Sequence, residues 1–398
     1  MNAKSAARHP ETLALHGGLY RADPITGSVA PPIYLTTSYL YRDSEHARRL
    51  FALEEIGYTY TRTSNPTREF LERRVAALEG GVAALAVATG IAASLYAILN
   101  LARGGDNIVI SQDVAGGRNS GLLASLRQLG IEVRLVDADD PRAFASATDE
   151  RTRAFYAESL SIPGLRLFPI AETARLGREA GVPLLIDNTA LPLTCRPLEL
   201  GAAIAIYSAA EYLGGHGATD GGLIVDGGAF PWEAHAARFP TLTEPDESYH
   251  GAVWTDVVKK WNAAPFIPRT RADLLRDLGA AINPLAVFQL LQGVETLPLR
   301  IRRHNANARR AAGFLAEHKA VSGLAAGHGA LIAFDLPSIE AAKRFIGALW
   351  LFRVSKAYGD VRSTVVAPAP LGKRVLLAIG LEHEDDLLAD LEQALFKV

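Results

Sequence analysis

Short apolar strands alternate with helices through the middle of the chain, and this alternation limits the possible fold more than any other feature. The pattern predicts strands over 108–111, 133–136, 153–158, 183–187 and 204–207, with helices over 122–129 and 169–180. Helices interleaved with apolar strands predict a mostly parallel sheet covered on both faces. Ligands bind such sheets beyond the carboxyl ends of the strands, where Ser111, Asp187 and Ser208 fall.

The composition is that of an ordinary globular protein. A chain of 398 residues is long for one core and suits two domains. Its net charge of −2 offers no general attraction for nucleic acid or an anionic membrane, so we expect a small-molecule partner. The single Cys195 excludes an internal disulfide, and no metal site is predicted. The polar opening Met1–Pro10 lacks the apolar centre of a signal peptide, and we expect a cytoplasmic protein.

A glycine-rich segment joins two apolar strands between Ile204 and Val225. Ser208 and Glu211 lie in the turn after the first strand, where a rigid base can hold a reactive side chain. A second glycine turn, at Gly90, leads into a helix and presents backbone N–H groups that can form a phosphate cup. The alternative for Gly90 is an ordinary strand-to-helix turn.

The segment Ser-Ala-Ala-Glu-Tyr-Leu-Gly-Gly-His, residues 208–216, closely resembles the cofactor-lysine segment of the pyridoxal-phosphate enzymes of cysteine and methionine metabolism. The resemblance is strongest to the O-acetylhomoserine sulfhydrylases, and residues 58–67 and 239–251 match the same family. It implies a fold-type-I aminotransferase-like α/β fold, with a mostly parallel sheet between helices and a smaller C-terminal α+β domain. It also implies a homodimer or homotetramer. The expected divisions are an arm over 1–60 that reaches a neighbouring subunit, a large domain over 61–280 and a small domain over 281–398.

The resemblance implies a set of cofactor contacts, which are Tyr60, Arg62, Gly90, Ile91, Asp187 and Ser208. In the family, the tyrosine and arginine reach the phosphate of the adjacent subunit, and the aspartate holds the protonated ring nitrogen. From the residues alone, Arg62 is equally a surface arginine in a turn, and Asp187 an Asx turn that closes a strand.

Several family contacts are replaced in this chain. Glu211 stands where the family has its cofactor lysine, and a carboxylate cannot condense with an aldehyde. The stacking tyrosine is replaced by Ala115, the asparagine near the ring hydroxyl by Ile162, the phosphate-binding threonine by Ala210 and the substrate-binding arginine by Leu376. Arg374 lies two positions earlier and would face the same side of an extended strand, so we expect it to substitute in part.

These replacements lead to the expectation of an enzyme that works without pyridoxal phosphate or any other cofactor. Glu211 would act as a general acid or base, and the phosphate cup would bind an anionic group of a partly apolar substrate. Two alternatives stay open: a non-catalytic subunit that completes the site of an active paralogue, and a sensor or binder that holds pyridoxal phosphate without a covalent bond. The basic run Arg300–Arg310 is interpreted as the solvated face of a long helix rather than as a nucleic-acid site.

Overall fold

The fold is built on two β-sheets, a large one within residues 83–226 and a smaller one within residues 322–378. A computed structural model describes residues 9–19, 22–117, 119–366 and 372–398. Residues 1–8, where the sequence predicts no signal peptide, lie outside the described part. The two sheets fall within the two domains predicted from the sequence, while the domain boundaries themselves stay a prediction.

The large sheet has seven strands. They are β1 (Ala83–Val87), β2 (Asn107–Ser111), β3 (Glu132–Val136), β4 (Thr152–Glu158), β5 (Leu184–Asp187), β6 (Ile204–Ser208) and β7 (Gly222–Asp226). Their order in the sheet is β1-β7-β6-β5-β4-β2-β3, and β7 alone runs antiparallel to its neighbours. The carboxyl ends of β1 to β6 therefore meet at one edge. Strands β5, β6 and β7 are buried along their whole length, as expected for a sheet covered on both faces.

Helices precede, connect and follow these strands. They are α1 (Pro10–His16), α2 (Ser44–Phe51), α3 (Pro66–Glu79), α4 (Gly90–Leu99), α5 (Asp113–Gly116), α6 (Ser120–Gln128), α7 (Pro141–Ser146), α8 (Ile170–Glu179), α9 (Pro240–Thr243), α10 (Trp254–Val257), α11 (Phe266–Thr270) and α12 (Arg276–Leu278). Shorter 3-10 turns cover Gly17–Leu19, Trp232–Arg238, Glu247–Tyr249 and Val258–Trp261, and a π-helical turn covers Arg271–Leu275.

A helix of 33 residues, α13 (Pro284–Ala316), leads from the large sheet to the small one. It begins at Pro284, because Asn283 caps the first turn by accepting the N–H of Leu285 and proline suits the first helical position. The small sheet has the order β10-β11-β12-β9-β8. Its strands are β8 (Ser322–Ala325), β9 (Leu331–Asp335), β10 (Arg353–Val354), β11 (Thr364–Val366) and β12 (Arg374–Ala378), and α14 (Ile339–Ala348) and α15 (Glu384–Leu395) cover it.

The predicted fold class is confirmed: a mostly parallel sheet lies between helices, and a smaller domain with its own sheet follows. The segment before α3 carries exposed apolar side chains, including Leu35, Leu40 and Ile56. This exposure suits an arm that packs on another surface, and contact with a neighbouring subunit stays a prediction. None of the helices in the described residues is long and apolar enough to cross a bilayer.

Candidate active site

The carboxyl edge of the large sheet brings two acidic side chains together. Glu158 ends β4 and Asp187 ends β5, and the two residues are partners in the register of these parallel strands. The Asn119 side-chain amide donates to Oε1 of Glu158 and to Oδ2 of Asp187, at 2.9 Å each. Asn119 lies just before α6 and is buried. One amide therefore bridges two carboxylates that are 29 positions apart in the chain.

Asp187 is also tied to the strand beside it. The hydroxyl of Thr189 donates to Oδ1 of Asp187 at 2.5 Å, and the backbone N–H of Thr189 donates to the same oxygen at 3.0 Å. The Thr189 hydroxyl in turn accepts the N–H of Ser208, at the end of β6. The Asx turn that the sequence allows at Asp187 is thus present, and it is combined with a connection from Asp187 to Ser208. Sequence reasoning assigned no role to Asn119 or Thr189.

The start of α4 packs directly against Ser208. A Cβ placed on Gly90 would overlap the Cβ of Ser208, so only glycine allows this approach. Thr89 caps the helix, because its side chain accepts the N–H of Ala92 and its carbonyl accepts the N–H of Ala93. The N–H groups of Gly90 and Ile91 come first in the helix and are not used by Thr89. These two donors beside Ser208 have the arrangement of an anion-binding helix start.

The turn that carries Glu211 follows β6 and is held in place by α13. Within the turn, the N–H of Gly215 donates to the carbonyl of Glu211 at 2.6 Å. The buried guanidinium of Arg300 on α13 donates to the carbonyl of Tyr212 at 2.6 Å and to that of Leu213 at 3.1 Å. A Cβ on Gly293 would lie 2.5 Å from the carbonyl oxygen of Leu213, so α13 packs against the turn at backbone distance. Residue 211 therefore sits on a rigid support.

Tyr212 extends this support into the core. Its ring is fully buried, lies edge-on to His304 with centroids 5.4 Å apart and contacts Tyr358 at 6.1 Å. Burial, and secondarily the nearby Glu211 charge, raise the pKa of Tyr212 above its usual range. Burial also lowers the pKa of Arg300 to about 10 and that of His304 to about 4.

The interpretation of Arg300–Arg310 as a solvated face is wrong for Arg300 and His304. Arg300 is 5% exposed and His304 is fully buried, whereas the side chains of Arg302 and Arg310 are more than half exposed. The run lies on a helix whose inner face packs against the Glu211 turn, and its first arginine points inward. The other arginines of the run, which are Arg302, Arg303, Arg309 and Arg310, are exposed, as predicted.

Two of the predicted substrate contacts lie elsewhere in the structure. Leu376 is 1% exposed and packs in the core between the two sheets, so it is a core side chain rather than a pocket wall. The Arg374 guanidinium pairs with Asp335 on β9, with Nη1 and Oδ1 3.0 Å apart, and its expected contact with a substrate stays a prediction. Ile162 is partly buried against the same core, and Ala115 is exposed on α5.

Tyr60 and Arg62 lie on the segment before α3. The Arg62 guanidinium stacks over the Tyr60 ring, with its carbon 5.2 Å from the ring centroid, and Tyr60 is 42% exposed. An exposed pair of this kind is available to a phosphate from outside the subunit. Its expected place in a neighbouring subunit's site stays a prediction.

The residues at this edge fit pyridoxal phosphate through its noncovalent contacts. Asp187 is a buried acceptor suited to a protonated ring nitrogen. The absence of a side chain at Gly90 lets the first N–H groups of α4 approach Ser208 closely, where both can contact a phosphate. Glu211 supplies no amine, so position 211 lacks the group that a covalently held cofactor needs.

A model of the family described as Cys/Met metabolism PLP-dependent enzyme matches residues 11–396. The chain belongs to this family. An O-acetyl-L-homoserine sulfhydrylase of Leptospira meyeri is 43% identical, over 97% of this chain and 96% of that protein. O-acetyl-L-homoserine sulfhydrylase 1 of Thermus thermophilus is 41% identical, over 97% and 99%.

A solved structure of an O-acetylhomoserine (thiol)-lyase from Campylobacter jejuni superposes with a TM-score of 0.92 at 32% identity. The match covers 98% of this chain and 100% of that one, which carries N′-pyridoxyl-lysine-5′-monophosphate. Family membership therefore rests on sequence and on fold alike.

These comparisons contradict the expectation of a chain without cofactor. The family is pyridoxal-phosphate-dependent, and the Campylobacter protein carries the pyridoxyl group. The expectation that pyridoxal-phosphate catalysis has been lost is wrong too, since relatives matched over the full chain are sulfhydrylases and homocysteine synthases. The three functions expected from the sequence are therefore wrong: a cofactor-independent enzyme, a non-catalytic subunit, and a sensor or noncovalent binder of the cofactor. The expectation rested on Glu211 and four further replaced contacts, and it gave too little weight to the match with the family along residues 11–396.

Proposed function

We propose that this protein is a pyridoxal-phosphate enzyme that exchanges the acetate of an O-acetylhomoserine-type amino acid for a sulfur nucleophile. The observation that carries the proposal is the bridged pair Glu158 and Asp187 beside the Gly90–Ser208 cup, at the carboxyl edge of the sheet. The identity to sulfhydrylases along the full chain supports the same reaction class.

The bound cofactor would supply an electron sink for the amino acid's carbon bonds, which protein side chains lack. Asp187 would hold a proton on the ring nitrogen, and its position would be kept by Asn119 and Thr189. The first N–H groups of α4, with the Ser208 hydroxyl, would bind the phosphate. Tyr60 and Arg62 of a neighbouring subunit would add a bidentate contact to the same phosphate.

Glu211 would move protons rather than carry the cofactor. Glu211 lies on the turn after β6, three residues beyond Ser208, and a positioned carboxylate can accept a proton from a substrate carbon and return it to a leaving group. The rigid backing by Arg300 and Gly293 supports this role, because proton transfer requires the two atoms within hydrogen-bond reach.

The substrate pocket would be more apolar than the amino acid alone requires. Ala115 and Ile162 replace a tyrosine and an asparagine of the resembling segments, and neither offers a hydrogen bond. We propose a small substrate that combines an anionic amino-acid end with an apolar group. We also propose that the active protein is a homodimer or a homotetramer.

Acetate release from O-acetyl-L-homoserine in the presence of sulfide tests the proposal, measured with protein purified in pyridoxal phosphate. We expect turnover that Asp187→Asn reduces strongly and Asp385→Asn, an exposed change on α15, leaves unchanged. Failure of both O-acetylhomoserine and longer apolar O-acyl amino acids to react would contradict the proposed reaction.

A further inference from the structure

The distribution of lysines restricts where a covalent cofactor link can form. The chain has eight lysines, and the segment from residue 5 to residue 258 contains none. Every strand of the large sheet and every loop at its carboxyl edge falls in that segment. An amine for the cofactor must therefore come from outside the large sheet, since Glu211 cannot provide one.

Most of the described lysines are occupied or far from this edge. Lys259 pairs with Glu233 and Asp256, and Lys260 lies over the ring of Trp261. Lys343 is on α14, on the outer side of the small sheet, and Lys397 lies over Phe396 at the end of the chain. Lys319 lies between α13 and β8, and Lys373 lies directly before β12. Lys356 lies on the loop between β10 and β11, where its side chain is exposed and forms no ion pair within the described residues.

The loop that carries Lys356 contacts the Glu211 turn at three points. A Cβ on Gly359 would lie 2.8 Å from the backbone nitrogen of Tyr212. The N–H of Val361 donates to the carbonyl of Gly215 at 2.8 Å, and Arg362 donates to the carbonyl of His216 at 3.2 Å. The two segments thus run side by side in the same direction.

Lys356 precedes Gly359 by three residues, a distance of at most about 11 Å. The contacts at Gly359, Val361 and Arg362 hold the loop against the turn that carries Glu211. The long, flexible stem of a lysine extends the reach of the amine beyond the loop backbone.

The backbone on both sides of Lys356 is held in place. The N–H of Ser355 donates to the carbonyl of Val365 at 3.0 Å, and the Ser355 hydroxyl accepts the N–H of Ala357 at 3.0 Å. The carbonyl of Ala357 accepts the hydroxyl of Thr364 at 2.9 Å. A flexible amine is therefore presented from a fixed backbone.

We propose that Lys356 forms the covalent link to pyridoxal phosphate in this protein, while Glu211 carries protons. The inference rests on the proposed function. The neutral amine adds to the aldehyde carbon of the cofactor, a C=N bond forms, and the two amine hydrogens leave with the aldehyde oxygen as water. The step consumes no oxidant or reductant. The two tasks of the family's single lysine are thus divided between two side chains on adjacent segments.

Borohydride reduction of the full-length holoprotein, followed by proteolysis and mass spectrometry, tests the assignment. We expect a pyridoxyl group on the peptide that contains Lys356. Lys356→Arg should lose the adduct and keep noncovalently bound cofactor, whereas Lys343→Arg should keep the adduct. In the double variant Glu211→Lys with Lys356→Arg, the adduct should move to the peptide that carries position 211.

Two results overturn the inference in distinguishable ways. Lys356 is rejected if the protein shows cofactor absorbance but no covalent adduct, or if the adduct lies on another lysine. Either result leaves the proposed function intact. Protein that retains no cofactor in any form rejects the proposed function together with the lysine assignment.

Discussion

Nη1 of Arg300 donates to the backbone carbonyl oxygen of Tyr212 at 2.6 Å, and this bond joins the long helix α13 to the turn that carries residue 211. Nη2 of the same guanidinium donates to the carbonyls of Leu213 and Gly293. Nε donates to the Thr296 hydroxyl at 3.2 Å. A buried cation bound to neutral oxygens loses hydration without gaining an opposite charge, which explains its lowered pKa. The Arg300 guanidinium therefore serves to hold the turn in a fixed position.

Replacing Arg300 with Met should therefore loosen the Glu211 turn. The variant leaves buried carbonyls without donors, and we expect a loss of about 2–4 kcal/mol in the free energy of unfolding. Urea unfolding measures the loss. Arg309→Met is the matched control, because Arg309 lies exposed on the same helix. An equal effect of the two changes would show that Arg300 does not support the turn.

Replacing Asn119 with Ala should weaken cofactor binding. The change removes the donor that bridges Glu158 and Asp187, and a loss of about 1 kcal/mol corresponds to roughly fivefold lower affinity. Asn119 makes no side-chain cap bond to α6, so the helix itself should be unaffected. Absorbance titration with pyridoxal phosphate gives the affinity. Gln128→Ala, at the exposed end of α6, should bind the cofactor as the unmodified protein does.

Glu79 should make stability depend on pH. Burial raises its pKa to about 7, against a partly opposing effect of Arg196. The folded carboxyl binds more protons than the unfolded one, whose pKa is near 4.5, so stability falls as pH rises from about 4.5 through 7. The fall amounts to about 3 kcal/mol.

Glu79→Gln removes this titration. We expect the variant to be more stable than the unmodified protein at pH 8 and to differ less at pH 5. Unfolding in urea at the two pH values checks the prediction, with the exposed Glu317→Gln as control. If the variant and the unmodified protein were equally stable at pH 8, the charged Glu79 carboxylate would not destabilise the fold.

Replacing Glu211 with Gln should separate proton transfer from cofactor binding. The amide keeps the size of the side chain and cannot accept a proton, so we expect turnover to fall by about 10²-fold or more. Cofactor affinity should stay within about twofold, because the noncovalent contacts are made by other residues. Glu247→Gln, an exposed change, should affect neither quantity. A Glu211→Gln protein with full turnover would remove Glu211 from the mechanism.

The sequence predicts the sheet well and the contacts around the site only in part. Strands β2 to β6 lie within a residue or two of their predicted limits, and four of them are mostly buried apolar runs, whereas β3 is partly exposed. Asn119 could not be assigned from the sequence, since its partner Asp187 is 68 positions away. Arg300 was misassigned because helical spacing does not reveal which face of a basic run meets a backbone turn. The Arg374–Asp335 ion pair could not be predicted either, because Asp335 lies on another strand 39 positions away.

The absorbance spectrum of the purified protein, taken after incubation with pyridoxal phosphate and removal of free cofactor by gel filtration, most directly decides whether this chain is a cofactor-dependent member of its family. The assembled Asp187 network and Gly90–Ser208 cup predict a cofactor band that elutes with the protein and that Asp187→Asn weakens. A protein peak whose spectrum is the same with and without added cofactor would contradict it.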